Sequence, residues 1–267
     1  ILFNPGKHIG DAYYYLGDSY LQLNDTLSAI PRFESVIKSP SGSYKEYAAS
    51  RVSHYYYHLK SYSRALEYYQ VLEQLGSTPA SINAARLGIM RSAFFLENYQ
   101  QSKEYALFVL ENSSLTETIK SEANYALGLS CYYLGSYEEA MIPLEWLVSN
   151  MTTFMGSEAQ FTLAQIYFNQ ENLSDAKVEI DQLLKMKPSY DFWIAKGLIL
   201  KSRILIKEGD LFQSEQNLKA VMEHYPNTDD GILEEANTLW DDIMLLKNPP
   251  IEEPQDDNET KIEIDED

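Results

Sequence analysis

The stretch Tyr13-Tyr14-Tyr15-Leu16-Gly17-Asp18-Ser19-Tyr20 decides how the rest of the chain is read. Tyr13, Leu16, Gly17 and Tyr20 stand at i, i+3, i+4 and i+7, which places all four on one face of a helix. Ala29 follows nine residues after Tyr20, and Phe33 four residues after that, as in a second helix with its own small residue.

The same spacing recurs downstream. Leu127-Gly128 precede Ala140 and Leu144, Leu163-Ala164 precede Ala176 and Ile180, and Leu198 with Ser202 precedes Ser214 and Leu218. Weaker copies lie between, at Val52-Ser53 with Ala65 and at Ile89 with Ser102. The small residue of each second helix falls at Ala29, Ala65, Ser102, Ala140, Ala176 and Ser214, at intervals of 36, 37, 38, 36 and 38. The matching position of each first helix holds Gly17, Ser53, Met90, Gly128, Ala164 and Ser202, so Met90 marks the third copy as degenerate. Antiparallel helices approach closely only where a small residue lets the backbones meet. One hairpin cannot bury its own apolar stripe, so neighbours must stack. Asn24-Asp25, Gly135-Ser136 and Gly209-Asp210 supply turns inside hairpins, and Pro188 and Pro226 stand just beyond helix ends.

Over roughly residues 11–226 this pattern resembles the tetratricopeptide-repeat family, with Tyr13 in the usual Trp position. The resemblance implies an all-α fold, a right-handed α-solenoid of about six helix hairpins. The repeats are expected at 10–43, 46–79, 83–116, 121–154, 157–190 and 195–228, with a capping helix at 229–247 and a disordered acidic tail at 248–267. Residues 251–267 carry nine acids and one lysine. Residues 1–6 read as the end of a preceding repeat. The junctions at Phe3-Asn4-Pro5-Gly6 and Tyr225-Pro226-Asn227-Thr228 are similar to those of bacterial envelope repeat proteins, which points to a periplasmic or envelope-associated setting. Pro31 and Pro143 fall after the first turn of their helices and are expected to kink them or delay their starts.

Composition narrows the chemistry. The chain has 267 residues, 45% of them apolar, and 21 Lys+Arg against 40 Asp+Glu, a net charge of −19. That balance speaks against nucleic acid, whose phosphates need a basic footprint, and against docking on anionic lipid. No apolar run is long enough for a membrane-spanning helix. Cys131 alone can form neither an internal disulfide nor a cysteine zinc cluster, and it takes a packing position held by Tyr20, Tyr56 and Tyr167 elsewhere. His54 and His58 stand four apart on one helix without an evident third ligand. There is no Gly-rich phosphate loop and no nucleophile elbow, so neither a cofactor, a metal nor a catalytic residue is assigned.

The resemblance implies that the first helices line a concave surface. Four residues after the small positions come Tyr57, Phe94, Tyr132 and Phe168 in consecutive repeats; three before it come Tyr14, Tyr125 and Phe161. One residue after it stand Asp18, His54, Arg91 and Arg203. These eleven residues form the candidate partner-binding surface, acidic at its start and basic near Lys196 and Arg203. The aromatics either line a groove or pack between adjacent first helices. The lysine and asparagine of the family's carboxylate clamp have no counterpart at Tyr14 and Asp18. The reading is a non-enzymatic scaffold for a peptide or protein, apolar or basic in character. The alternatives are a structural spacer within a larger envelope protein and a regulatory domain of a fused enzyme.

Overall fold

The computed structural model describes residues 8–248, so the expectations for residues 1–6 and for the acidic tail beyond Asn248 lie outside the described residues. Within them the chain is helical throughout. The helices are α1 (Ile9–Gln22), α2 (Thr26–Lys38), α3 (Lys45–His58), α4 (Tyr62–Leu75), α5 (Pro79–Phe95), α6 (Tyr99–Leu110), α7 (Glu117–Tyr133), α8 (Tyr137–Asn150), α9 (Phe154–Asn169), α10 (Leu173–Leu183), α11 (Asp191–Glu208), α12 (Leu211–His224) and α13 (Ile232–Lys247). Among the described residues no helix is long and apolar enough to cross a membrane.

Two compact units divide at Tyr190 and Asp191. In the first, α1 to α10 form five antiparallel hairpins, and the second helices α2, α4, α6 and α8 each pack on both their own first helix and the first helix of the next hairpin. The first helices α3, α5, α7 and α9 also touch in succession, so they build one continuous face. In the second unit, α11 and α12 form a hairpin and α13 packs against both.

The small residues do what their spacing implies. Ala29, Ala65, Ser102, Ala140, Ala176 and Ser214 are all fully buried. A Cβ on Gly128 would stand 2.8 Å from the Leu144 side chain. In the last hairpin, Ser202 Oγ donates to the Ser214 carbonyl at 3.3 Å and Ser214 Oγ to the Ser202 carbonyl at 3.2 Å, so the two backbones meet at the paired small positions. The third repeat lacks a small residue at this position of its first helix, and α5 makes its tight contact instead with α4 of the preceding repeat. Met90 is buried, and the tight contact is at Gly88, where a Cβ would lie 2.4 Å from the Tyr69 ring.

All six turns within hairpins share one geometry. Asn24, Lys60, Glu97, Gly135, Glu171 and Gly209 each take a left-handed φ, between 57° and 82°. The next residue, Asp25, Ser61, Asn98, Ser136, Asn172 or Asp210, donates its amide to the carbonyl five residues back at 2.9 Å. This closes the outgoing helix in a Schellman turn. Four of these residues, Asp25, Asn98, Asn172 and Asp210, then cap the next helix with a side-chain oxygen.

Helix starts differ from the expected repeat boundaries. α5, α7, α9 and α11 begin at Pro79, Glu117, Phe154 and Asp191, ahead of 83, 121, 157 and 195. Thr78 and Thr116 cap α5 and α7, and Pro79 sits at the first helical position, where a missing amide is harmless. Pro31 and Pro143 lie inside α2 and α8, which start at Thr26 and Tyr137, so neither helix begins late. The turn residues set the first helical residue before proline is reached. The carbonyls left without a donor, on Leu27 and Glu139, belong to exposed residues where water can replace it.

Half-buried carboxylates stitch successive repeats together. Glu34 on α2 accepts hydrogen bonds from Tyr56 at 2.8 Å and Tyr68 at 3.0 Å, both in the next repeat. Glu73 on α4 accepts from Tyr105 at 2.8 Å and from Arg86 Nε at 2.9 Å. Burial and the adjacent carboxylates push Tyr56 and Tyr105 up to about 12.

Candidate partner-binding site

The face built by α3, α5, α7 and α9 holds a cavity of about 450 Å³. Tyr57 enters from the last turn of α3, and Arg91, Phe94 and Phe95 from the last turns of α5. Glu122 and Tyr125 project from α7, and Phe154 and Met155 from the first turn of α9. Met90 and Ala126 complete the lining. Helical spacing explains the convergence. Arg91 with Phe94 and Phe95, and Glu122 with Tyr125, stand three or four residues apart and so share a helix face.

The rings are set at angles that leave faces and edges to the cavity. Phe94 and Tyr125 have centroids 5.6 Å apart and planes tilted by 53°. Tyr57 and Phe95 lie 6.4 Å apart at 56°. Tyr57, Phe94 and Tyr125 are all half-buried, so they contribute to packing and still present surface.

One carboxylate, Glu122, lines the cavity, and a second, Glu158, stands behind Tyr125. Arg91 Nε donates to Glu122 Oε2 at 2.8 Å, and Nη2 donates to the same oxygen, so the guanidinium is held in place. Tyr125 donates its hydroxyl proton to Glu158 Oε2 at 2.7 Å. Burial raises Glu158 above the ordinary carboxylate range, partly offset by that hydrogen bond. Burial and the Glu158 charge together push the Tyr125 hydroxyl well above the usual tyrosine range. Tyr125 therefore stays a neutral donor. Among the described residues no three His, Cys, Asp or Glu side chains converge as metal ligands would. An apolar aromatic wall with a fixed ion pair and one further carboxylate is suited to holding a side chain.

Of the eleven residues expected from the sequence, Tyr57, Arg91, Phe94 and Tyr125 meet in this cavity. The other seven do not line it. Tyr14 is stacked on Tyr44, centroids 3.8 Å apart and planes 5° from parallel, so its ring serves packing between α1 and the start of α3. Asp18 accepts from Gln22 Nε2 at 2.9 Å on its own helix. His54 bonds through Nδ1 to the Ser50 carbonyl at 2.7 Å and meets the Tyr69 ring edge-on. Tyr132 is half-buried against Tyr133 and Tyr137. Phe161 and Phe168 are half-buried on α9. The expected row of four aromatics is thus partly exposed throughout, yet only Tyr57 and Phe94 share one cavity.

Arg203 belongs to the second unit, and the basic patch expected around it is corrected by its partners. Glu235 on α13 accepts from Arg203 Nη2 at 3.0 Å and from Lys196 Nζ at 2.7 Å. One carboxylate is thereby shared by both cations and offsets one of the two charges. Arg203 also lines a shallow cavity with Glu234, Glu235 and Asp242, whose overall sign is negative.

The reading of spacing missed Glu122, Phe95, Phe154, Met155 and Glu158. A signal was present for the two glutamates, which occupy the same register ahead of Gly128 and Ala164. Phe154 and Met155 precede the expected start of the fifth repeat, so the added helical turn had to be seen first.

Family models for the tetratricopeptide repeat match residues 11–41 and 157–190. No curated protein sequence matches the chain. Among solved structures, YrrB, described as a tetratricopeptide-repeat protein with an unusual peptide-binding site, aligns with a TM-score of 0.54 at 18% identity, covering 77% of this chain and 97% of that one. PilW, a widely conserved type IV pilus biogenesis factor, aligns with a TM-score of 0.54 at 19% identity over 88% and 99%. The apo form of the quorum sensor NprR from B. thuringiensis aligns with a TM-score of 0.58 at 14% identity over 94% and 74%. At these identities the likeness is one of fold.

Proposed function

The chain is a tetratricopeptide-repeat protein, and from that premise we propose that it is a non-enzymatic scaffold that binds a peptide or protein segment on the face of its first helices. The observation that carries this reading is the cavity among Tyr57, Phe94, Tyr125 and Phe154, which offers aromatic surface from four successive repeats, half-buried in the first three and exposed at Phe154. Aromatic rings give large contact area at little cost in rotamer freedom, which suits recognition of an anchoring side chain. The ion pair of Arg91 with Glu122 supplies a polar edge that orients what enters. A structural neighbour described by its peptide-binding site supports the same use of the fold.

The test is selection of peptides from a displayed random library on the immobilised protein, followed by titration of the selected peptides. Replacing both Tyr57 and Phe94 by Ala should weaken binding by about 30-fold or more, on the order of 2 kcal/mol for loss of a buried aromatic anchor. Helical content by circular dichroism should stay unchanged. Selected peptides that bind wild type and the double variant equally would place the site elsewhere.

A further inference from the structure

Glu158 lies one helical turn beyond Phe154 on the same face of α9, next to the cavity wall formed by Tyr125. Its Oε2 accepts the Tyr125 hydroxyl at 2.7 Å, while no hydrogen bond among the described residues reaches Oε1. No cation among the described residues lies within ion-pair distance of it either. The neighbouring acid differs: Glu122 is already held by two donors of Arg91. The charged lining of the cavity, Arg91 with Glu122, is thus neutral as a pair, and Glu158, behind the lining residue Tyr125, adds a negative charge beside its α9 end. A half-buried carboxylate without a cation is an unfavourable arrangement in the free protein, since burial removes water and the Tyr125 hydroxyl replaces only part of its charge stabilisation.

We infer that the cavity takes a peptide in which a large apolar side chain is closely followed by arginine or lysine, the apolar group lying among Phe94, Tyr125 and Phe154 and the cation meeting Glu158 Oε1. This rests on the reading of the cavity as the binding site and adds the chemistry of the occupant. Tyr125 positions Glu158 for this contact, because its hydroxyl occupies one carboxylate oxygen and leaves the other to the ligand. Arg91 is neutralised by Glu122, so an acidic occupant finds no free cation in the lining. The chain's net charge of −19 points the same way, favouring encounter with a basic segment.

The experiment uses three short fluorescein-labelled peptides that differ only after a single tryptophan: one carries arginines, one glutamines and one glutamates. Each is titrated by fluorescence anisotropy at low and at physiological salt against wild type, Phe94→Ala, Glu158→Gln and Glu67→Gln. Glu67 is exposed on α4, so its variant removes the same charge away from the cavity. Wild type should prefer the arginine peptide over the glutamine peptide by about tenfold, as for a hydrogen bond to a charged group. That preference should vanish in Glu158→Gln and persist in Glu67→Gln. If wild type binds all three peptides alike while Phe94→Ala weakens them all, the cavity stands as the site and this inference falls. A preference for the glutamate peptide, or an arginine preference that survives in Glu158→Gln, overturns it as well. If no peptide binds, or binding ignores Phe94→Ala, the proposed function itself fails and takes this inference with it.

Discussion

Phe95 at the end of α5 lies flat on Tyr62 at the start of α4, ring centroids 4.5 Å apart and planes 12° from parallel. One repeat later Tyr133 stacks on Tyr99 at 4.5 Å and 20°. Each stack joins the last turn of a first helix to the first turn of the preceding second helix, so it couples neighbouring repeats at the edge of the cavity face. Phe95 contributes to both the stack and the cavity. A double-mutant cycle with Tyr62→Ala and Phe95→Ala should return a coupling energy of about 1 kcal/mol in urea unfolding. Tyr62→Phe should leave stability within a few tenths of a kcal/mol, roughly the range of a surface change that keeps the stack. A coupling indistinguishable from zero would mean that the stacks ornament the interface without holding it.

The shared turn geometry makes an asymmetric prediction. Glu97 holds a left-handed φ of 57° that glycine adopts freely, whereas Gly135 holds the equivalent position at 73°. Glu97→Gly should therefore stabilise the protein by up to about 1 kcal/mol, and Gly135→Ala should destabilise it by about the same amount. Both effects are read from chemical denaturation midpoints. Nothing within 4 Å of Gly135 would meet a new Cβ, so a loss there reports backbone conformation and not crowding. A destabilised Glu97→Gly would show that the Glu97 side chain contributes more than its backbone strain costs.

Gly88 is the close-approach residue of the third repeat. An added Cβ would lie 2.4 Å from the Tyr69 ring, which is itself buried. Gly88→Ala should cost about 1–3 kcal/mol through overpacking, even though alanine is the better helix former. Tyr69→Leu in the same chain should recover part of that loss by making room. If Gly88→Ala proves neutral or stabilising in thermal unfolding, α4 and α5 are free to move apart and the tight contact is not a constraint.

Glu158 links stability to pH in a definite direction. Burial raises its folded-state value above that of the unfolded chain, near about 4.3 for a free glutamate. The folded state thus holds the proton more tightly than the unfolded state. That stabilisation is complete below the unfolded value and is lost as pH rises through the raised folded value. At neutral pH the wild type carries the buried charge without a cation. Glu158→Gln should melt higher than wild type at pH 7, and the difference should shrink as the pH is lowered below the carboxylate range. A Glu158→Gln protein that melts lower at neutral pH would mean that the Tyr125 hydrogen bond to the charged carboxylate outweighs the desolvation it offsets.

The helix-hairpin repeat was legible in the sequence because it depends on local quantities. Small residues at 36 to 38 residue intervals and apolar stripes at helical spacing name both helices of each hairpin, and all six small residues of the second helices are fully buried. Turns were legible only where glycine or Asn-Asp marks them. Lys60, Glu97 and Glu171 adopt the same left-handed turn, and no intrinsic preference of lysine or glutamate announces it; the closing hydrogen bonds of the flanking helices impose it. The added first turns of α5, α7, α9 and α11 were likewise hidden: Thr78 and Thr116 cap the first two, but a cap has force only once the packing of the preceding helix fixes where the chain can turn, and no capping side chain among the described residues marks the other two. The site divides along the same line. Register along one helix brought Tyr57, Arg91, Phe94 and Tyr125 into view. Which of them share a cavity, that Glu122 holds Arg91, that Tyr14 is spent on Tyr44, and that Glu158 stands without a cation were decided by the tertiary structure alone. Distances between side chains on different helices are set by how closely the backbones pack, and sequence spacing carries no measure of that approach.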